Sequence, residues 1–86
     1  VAANRRFCAV EVPTDHPRPG QAEQDPDLWW ASLKEATAGV IEQSGISADE
    51  IAGVSTDAMA STLVAVDEND RHLRPAILWM DVRASD

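Results

Sequence analysis

One segment of this chain carries helix signals from cap to cap, and its length dictates what the rest must supply. In "DPDLWWASLKEATAGVIEQSG", residues 25 to 45, Asp25 can cap the free amides and Pro26 suits the first helical position. Asp27 favours the positive end of the dipole. Trp29, Leu33, Ala36, Val40 and Ile41 fall on one face, whereas Trp30, Lys34, Glu35 and Glu42 lie largely elsewhere. Gly45 provides a left-handed stop. The spacing predicts a helix from Pro26 to Gln43 or Ser44, with an apolar stripe that must be covered by something other than a second helix.

Strands are the partners on offer. "FCAVEV" alternates over Phe7 to Val12, with Cys8, Val10 and Val12 on one side and Phe7, Ala9 and Glu11 on the other. It follows a turn around Ala3 to Arg6, with Val1 and Ala2 as the tail of an earlier strand. "IAGVST" (Ile51 to Thr56), "TLVAVD" (Thr62 to Asp67) and "AILWM" (Ala76 to Met80) give three more. "PTDHPRPGQAEQDP", residues 13 to 26, holds four of the five prolines, which cannot donate to a ladder, so it is predicted as an extended surface loop. "SADE", residues 47 to 50, matches a capping box, and "DENDR", residues 67 to 71, is a turn by composition. Strand, helix and three strands in that order are an α/β pattern in which helix and sheet share one core.

Eighty-six residues make one small domain with a modest core. The formal charge of −8, with only seven Lys and Arg, argues against nucleic acid and against an anionic membrane surface. Acidic residues are spread along the chain, as on a solvated surface. Cys8 is the only cysteine, so neither an intrachain disulfide nor a cysteine-based zinc cluster can form, and its apolar surroundings suit a buried thiol. No run approaches the roughly 18 apolar residues of a membrane span and no signal peptide opens the sequence, so a cytoplasmic setting is expected.

Two carboxylates follow apolar runs directly, Asp57 after "IAGVST" and Asp81 after "AILWM". In α/β sheets ligands collect at the carboxyl ends of parallel strands. The intervening "TDAMAST", residues 56 to 62, is almost all small or polar, so a ligand could approach its backbone while Asp57, Ser61 and Thr62 bond hydroxyl groups. On the residues alone a purely structural account is favoured. Asp57 could bond its own loop amides, and Asp81 could cap a later helix or pair with Arg83. His16 and His72 sit in polar loops with no Cys or carboxylate at ligand spacing, so no metal site is expected. No serine has a local base, and neither a GxGxxG nor a GxxxxGK[ST] loop occurs. The tryptophans suit packing better than a stacking platform.

Three ordered stretches, "RPGQAEQDPDLWWASL", "ISADEIAGVSTD" and "LVAVDENDRHLRPAILWMDVRA", resemble the first-domain region of the FGGY carbohydrate kinases, over essentially the whole chain from Phe7. "TDAMAST" and "WMDVRA" look closer to the ribulokinase-like branch than to the xylulokinases. Ala58, Met59 and Val82 depart from that branch's pattern.

The resemblance implies a partial actin-like, ribonuclease H-type α/β domain, with residues 1–86 a fragment of the N-terminal, sugar-binding domain and the ATP-binding C-terminal domain absent. It implies transfer of the γ-phosphoryl group of Mg-ATP to a hydroxyl of a ketose or polyol, a ribulose-like sugar foremost. Carried over by position, Asp57, Ala60 and Ser61 would lie along the sugar pocket. Asp81 and Arg83 would hold the pocket's shape or reach the sugar. The family's D-x-G-T turn for phosphate and metal is not found here, and its catalytic aspartate would lie beyond residue 86. The chain therefore reads as an internal piece of a longer kinase, inactive alone, with no catalytic, cofactor or metal residue of its own. The alternatives are a non-catalytic α/β binding module of the same ancestry, whose unpaired edges would invite self-association, and an unrelated small α/β protein.

Overall fold

A computed structural model describes residues 5–85, so most of the turn expected at Ala3 to Arg6, and the strand tail before it, lie outside the described residues. The helix forms where expected. Helix α1 spans Pro26–Ser44, Asp25 accepts a hydrogen bond from the Asp27 amide at 2.9 Å, and Gly45 at φ +69° closes the last turn onto Ile41 and Glu42. The capping box at Ser47 and Glu50 then winds a single 3-10 turn, Ala48–Glu50. "DENDR" makes the predicted turn. Asp67 Oδ1 accepts from the amides of Asn69 and Arg71, and Asp70 takes φ +60°, which aspartate tolerates.

The strands depart from expectation. Strand β1, Glu23–Gln24, pairs antiparallel with strand β2, Ala76–Ile77, in the register Glu23 to Ile77 and Gln24 to Ala76. Single bridges extend this ladder on both sides, Asp15 to Glu23 and Leu63 to Ile77. β1 thus lies inside the segment predicted to be only a surface loop. "TLVAVD" contributes isolated bridges at Leu63 and Val66, and "AILWM" contributes only its first two residues before a turn at Trp79 and Met80. Phe7 to Val12 and Ile51 to Thr56 form no strand, and among the described residues neither makes a cross-strand backbone hydrogen bond. All strand pairings among the described residues are antiparallel. The tight turn at residues 67 to 71 forces this on its flanks, because parallel strands need a long crossover. The parallel-strand premise for locating a site therefore does not apply here.

The core sits where β1 crosses β2. Ala22, Ala76 and Leu78 are buried there together with Glu23 and Gln24. Two alanines let the backbones approach, and the Leu78 amide donates to Ala22 O at 3.0 Å. No residue of α1 is fully buried. Trp29, Ala36, Val40 and Ile41 of the predicted face are half-buried, but Leu33 is 54% exposed.

Two contacts anchor the helix. Trp29 Nε1 donates to Gln24 Oε1 at 2.7 Å, and Gln24 Nε2 donates to Thr14 Oγ1 at 2.9 Å. Farther along, Cys8 Sγ lies 2.6 Å from where a Cβ on Gly39 would stand, so the half-buried thiol fills a notch on the helix. The Cα radius of gyration is 16.7 Å, against roughly 12 Å for a closed domain of this length. No helix among the described residues is long and apolar enough to cross a membrane.

The Asp25 cap carries a prediction. Asp25→Ala should cost about 1 kcal/mol, read as a fall in melting midpoint of about 4–8 °C, and Asp25→Ser should restore most of it. Equal loss in both variants would instead assign the effect to the contact between Asp25 Oδ1 and His72 Nε2 at 3.6 Å.

Candidate functional site

Immediately after β2, a turn closed by the Asp81 amide on Leu78 O (3.0 Å) swings the Asp81 carboxylate under the loop preceding β1. There it receives four hydrogen bonds. The Ala22 amide donates to Oδ2 at 2.8 Å and the Arg83 amide to Oδ1 at 2.9 Å. Arg83 Nε and Nη2 add bonds of 2.9 and 2.6 Å. The Asp81 side chain is 1% exposed. Arg83's hydrogen bonds hold its carboxyl well below the usual carboxylate range, against the opposing effect of burial. The Arg83 guanidinium is held above its ordinary value by Asp81 first and Glu23 second.

Glu23 extends this network. Its Oε2 accepts from Arg83 Nη2 at 2.8 Å and from Arg74 Nη2. A backbone bond from the Val82 amide to Gly20 O at 2.8 Å completes the seam. Gly20 is required there, because φ is +79° and a Cβ would stand 2.8 Å from Val82 Cγ2. "GQAEQ" is thus riveted to the exit of β2.

The other predicted residues lie elsewhere. Asp57 is exposed, accepts a bond from the Ala58 amide at 2.9 Å, and lines a hollow of about 730 Å³ with Val10, Val12, Trp29, Leu33 and Met59. Ala60 and Ser61 line a second hollow of about 420 Å³ with Met59 and Trp79. Ser61 holds φ +59°, an uncommon conformation for a side-chain-bearing residue outside a regular turn. Arg83 borders a third hollow of about 430 Å³ with Arg18, Gln21 and Ser85.

The structure therefore joins Asp81 to Arg83 and Ala60 to Ser61, with Met59 bordering the hollows of both Asp57 and Ser61. Asp81 does not line the hollow that Asp57 lines. Two of the three structural alternatives read from the sequence are realised: the loop-amide bond at Asp57 and the ion pair at Asp81 and Arg83.

Sequence reasoning missed Glu23, Arg74 and Trp79. The first two are polar residues in or beside predicted loops, with nothing local to mark them as partners. Trp79 looked like a packing residue, yet it is 58% exposed. His72 was expected to be solvated without carboxylates nearby. Folding instead places Asp25 and Asp27 carboxylate oxygens 3.6 and 3.7 Å from its two ring nitrogens, at the start of α1.

The sequence and fold are similar to those of known proteins. The profile of the N-terminal domain of the FGGY family of carbohydrate kinases matches residues 6–86. The chain belongs to the FGGY family. It is 34% identical over 77 residues to the xylulose kinase of Lactococcus lactis, covering 90% of this chain and 15% of that protein. To the xylulose kinase of Streptomyces rubiginosus it is 35% identical over 85 residues, covering 99% of this chain and 17% of that protein. A crystal structure described as a xyloylose kinase from Brucella ovis superposes with a TM-score of 0.66 at 29% identity, covering 86% of this chain and 15% of that one. This FGGY chain thus spans well under a fifth of the length of these relatives. Their names favour xylulose and lend no support to the ribulokinase-like branch expected from "TDAMAST" and "WMDVRA".

Proposed function

We propose that residues 1–86 form part of the N-terminal, sugar-binding domain of an ATP-dependent carbohydrate kinase, with a ketose of the xylulose type as acceptor. The family match over residues 6–86, with relatives named xylulose kinase, carries this reading. The acceptor rests in the hollow of Ala60, Ser61 and Trp79. Small residues there permit close approach to backbone, the Ser61 hydroxyl bonds a sugar hydroxyl, and an exposed indole offers an apolar face. Asp57 borders the same stretch across Met59 and supplies a carboxylate acceptor. Asp81 and Arg83 hold the pocket's shape, because the hydrogen-bonding capacity of the Asp81 carboxylate is already met within the protein.

Mg-ATP would supply the phosphoryl group from a part of the kinase outside this chain. The buried carboxylates of Glu23 and Asp81 do not fit a magnesium ion, since both are neutralised by arginines. The 86 residues alone therefore bind one reactant and turn nothing over. Phosphoryl transfer depends on positioning the hydroxyl against the nucleotide, which takes both halves. A non-catalytic module is the less favoured reading, as the relatives carry kinase names.

The test is a chimera in which this chain replaces the matched segment of the Streptomyces rubiginosus xylulose kinase. A coupled assay should give ATP turnover with D-xylulose above that with D-ribulose or glycerol, and Asp57→Ala should raise the KM for xylulose at least tenfold. A folded chimera that binds Mg-ATP but phosphorylates none of the three, or prefers glycerol, overturns the reading.

A further inference from the structure

The hollow of Ser61 and Trp79 opens where a β-ladder ends. Leu63 and Ile77 exchange two backbone hydrogen bonds, each 2.9 Å. In an antiparallel pair the residue two before Leu63 faces the residue two after Ile77. These are Ser61 and Trp79, which form opposite walls of the hollow. The ladder does not reach them, for Ser61 holds φ +59° and Trp79 enters the turn that the Asp81 amide closes on Leu78 O. The gap is therefore set on one side by the Leu63 bridge and on the other by whatever fixes Asp81.

Asp81 is fixed through a shared donor. Arg83 Nη2 serves Asp81 Oδ2 at 2.6 Å and Glu23 Oε2 at 2.8 Å, so the two carboxylates compete for it. Arg74 settles the competition, because its own Nη2 donates to the same Glu23 oxygen. A bulge brings it there. Ala65 O accepts from the Leu73 amide at 2.9 Å, and the next pair along the ladder is Leu63 and Ile77. An advance from 65 to 63 on one strand thus faces an advance from 73 to 77 on the other. The surplus falls in a stretch that holds Arg74 and Pro75. Such insertions re-aim side chains, and proline tolerates a place where no ladder amide is needed.

We infer that Arg74 is a positioning residue for the acceptor: by neutralising Glu23 it leaves Arg83 to Asp81, and so holds the Trp79 indole in place across from Ser61. Arg74 is not itself on the wall of that hollow. Without it, Glu23 draws Arg83 away from Asp81, the turn at residues 78 to 81 loosens, and Trp79 moves relative to Ser61. The inference rests on the reading that this hollow receives the acceptor, and it adds a residue that acts on the sugar only through others.

The test uses the Streptomyces rubiginosus chimera labelled with 5-fluorotryptophan, its Trp79 resonance identified by loss in Trp79→Phe. Arg74→Ala should raise the KM for D-xylulose about fivefold or more while the KM for ATP stays within about twofold of the parent. The Trp79 fluorine resonance should shift or broaden. Arg74→Lys keeps a charge beside Glu23 and should return both readings toward the parent. Arg74→Gln keeps most of the stem without the charge and should behave as Arg74→Ala, which covers an alanine variant that does not fold. Four outcomes overturn the inference: a xylulose KM within about twofold of the parent, an equal rise in both KM values, an unmoved Trp79 resonance, or no rescue by lysine. A parent chimera that phosphorylates none of the three sugars, or prefers glycerol, defeats the acceptor reading instead, and the fluorine resonance then decides the role of Arg74 by itself.

Discussion

Glu23→Ala should be the most damaging single substitution in the chain, lowering the melting midpoint by on the order of 10 °C or abolishing a cooperative melt. The Glu23 side chain is 11% exposed, and one of its oxygens serves both Arg74 and Arg83. Truncation takes the shared carboxylate from Arg74 and leaves Arg83 with Asp81 alone. Removing one partner of a buried ion network costs far more than the network itself contributes, because the remaining charges lose their compensation. The substitution falls beside Ala22, Ala76 and Leu78, the buried apolar residues among those described, so little other packing can absorb it.

Glu23→Gln provides the control. It keeps the shape and one acceptor oxygen, and should recover part of the midpoint at low salt but not the response to added salt. Thermal melts followed by far-ultraviolet circular dichroism decide the matter. A midpoint within about 2 °C of the parent for Glu23→Ala would show that the network contributes nothing beyond its own desolvation cost.

Glu23 also marks the boundary between what the sequence discloses and what it conceals. α1, its Asp25 and Gly45 caps, the Ser47 box and the turn at Asp67 were all legible. Each rests on hydrogen bonds reaching at most four residues along the chain, so their signals are contiguous. The alternation at Cys8, Val10 and Val12 was legible for the same reason, and those residues do face inward together. Pairing is another matter, because it depends on a partner elsewhere in the sequence. Apolar "IAGVST" has no strand partner among the described residues, whereas polar Glu23 and Gln24 form β1.

A carboxylate in a proline-rich loop gives no sign that arginines 51 and 60 residues away will neutralise it. For the candidate site, the stretch Asp57 to Ser61 and the adjacency of Asp81 and Arg83 could be read directly. That Asp81 turns inward to Ala22, while Trp79 turns outward beside Ser61, depends on a turn that apolar run length does not encode.

Asp81→Asn should change how stability depends on pH, not only its level. In the folded chain four donors converge on two carboxylate oxygens. An asparagine keeps one oxygen and turns an NH₂ group toward donors that cannot accept its hydrogens, so the variant is destabilised at neutral pH. The sign of the acid response follows from linkage. Asp81 is held below its ordinary value of 3.8 when folded, and regains that value when unfolded. Its contribution is therefore complete above the unfolded value and is lost as pH falls toward the folded one. Melting midpoints of parent and variant should differ by a constant amount above about pH 5 and converge below about pH 4. Arg83 adds no slope in this range, because it is held above its ordinary value and the group stays charged throughout. Two curves that remain parallel down to pH 3 would mean that Asp81 does not carry its charge into the fold, and the rivet between "GQAEQ" and β2 would have to be rebuilt around Glu23 alone.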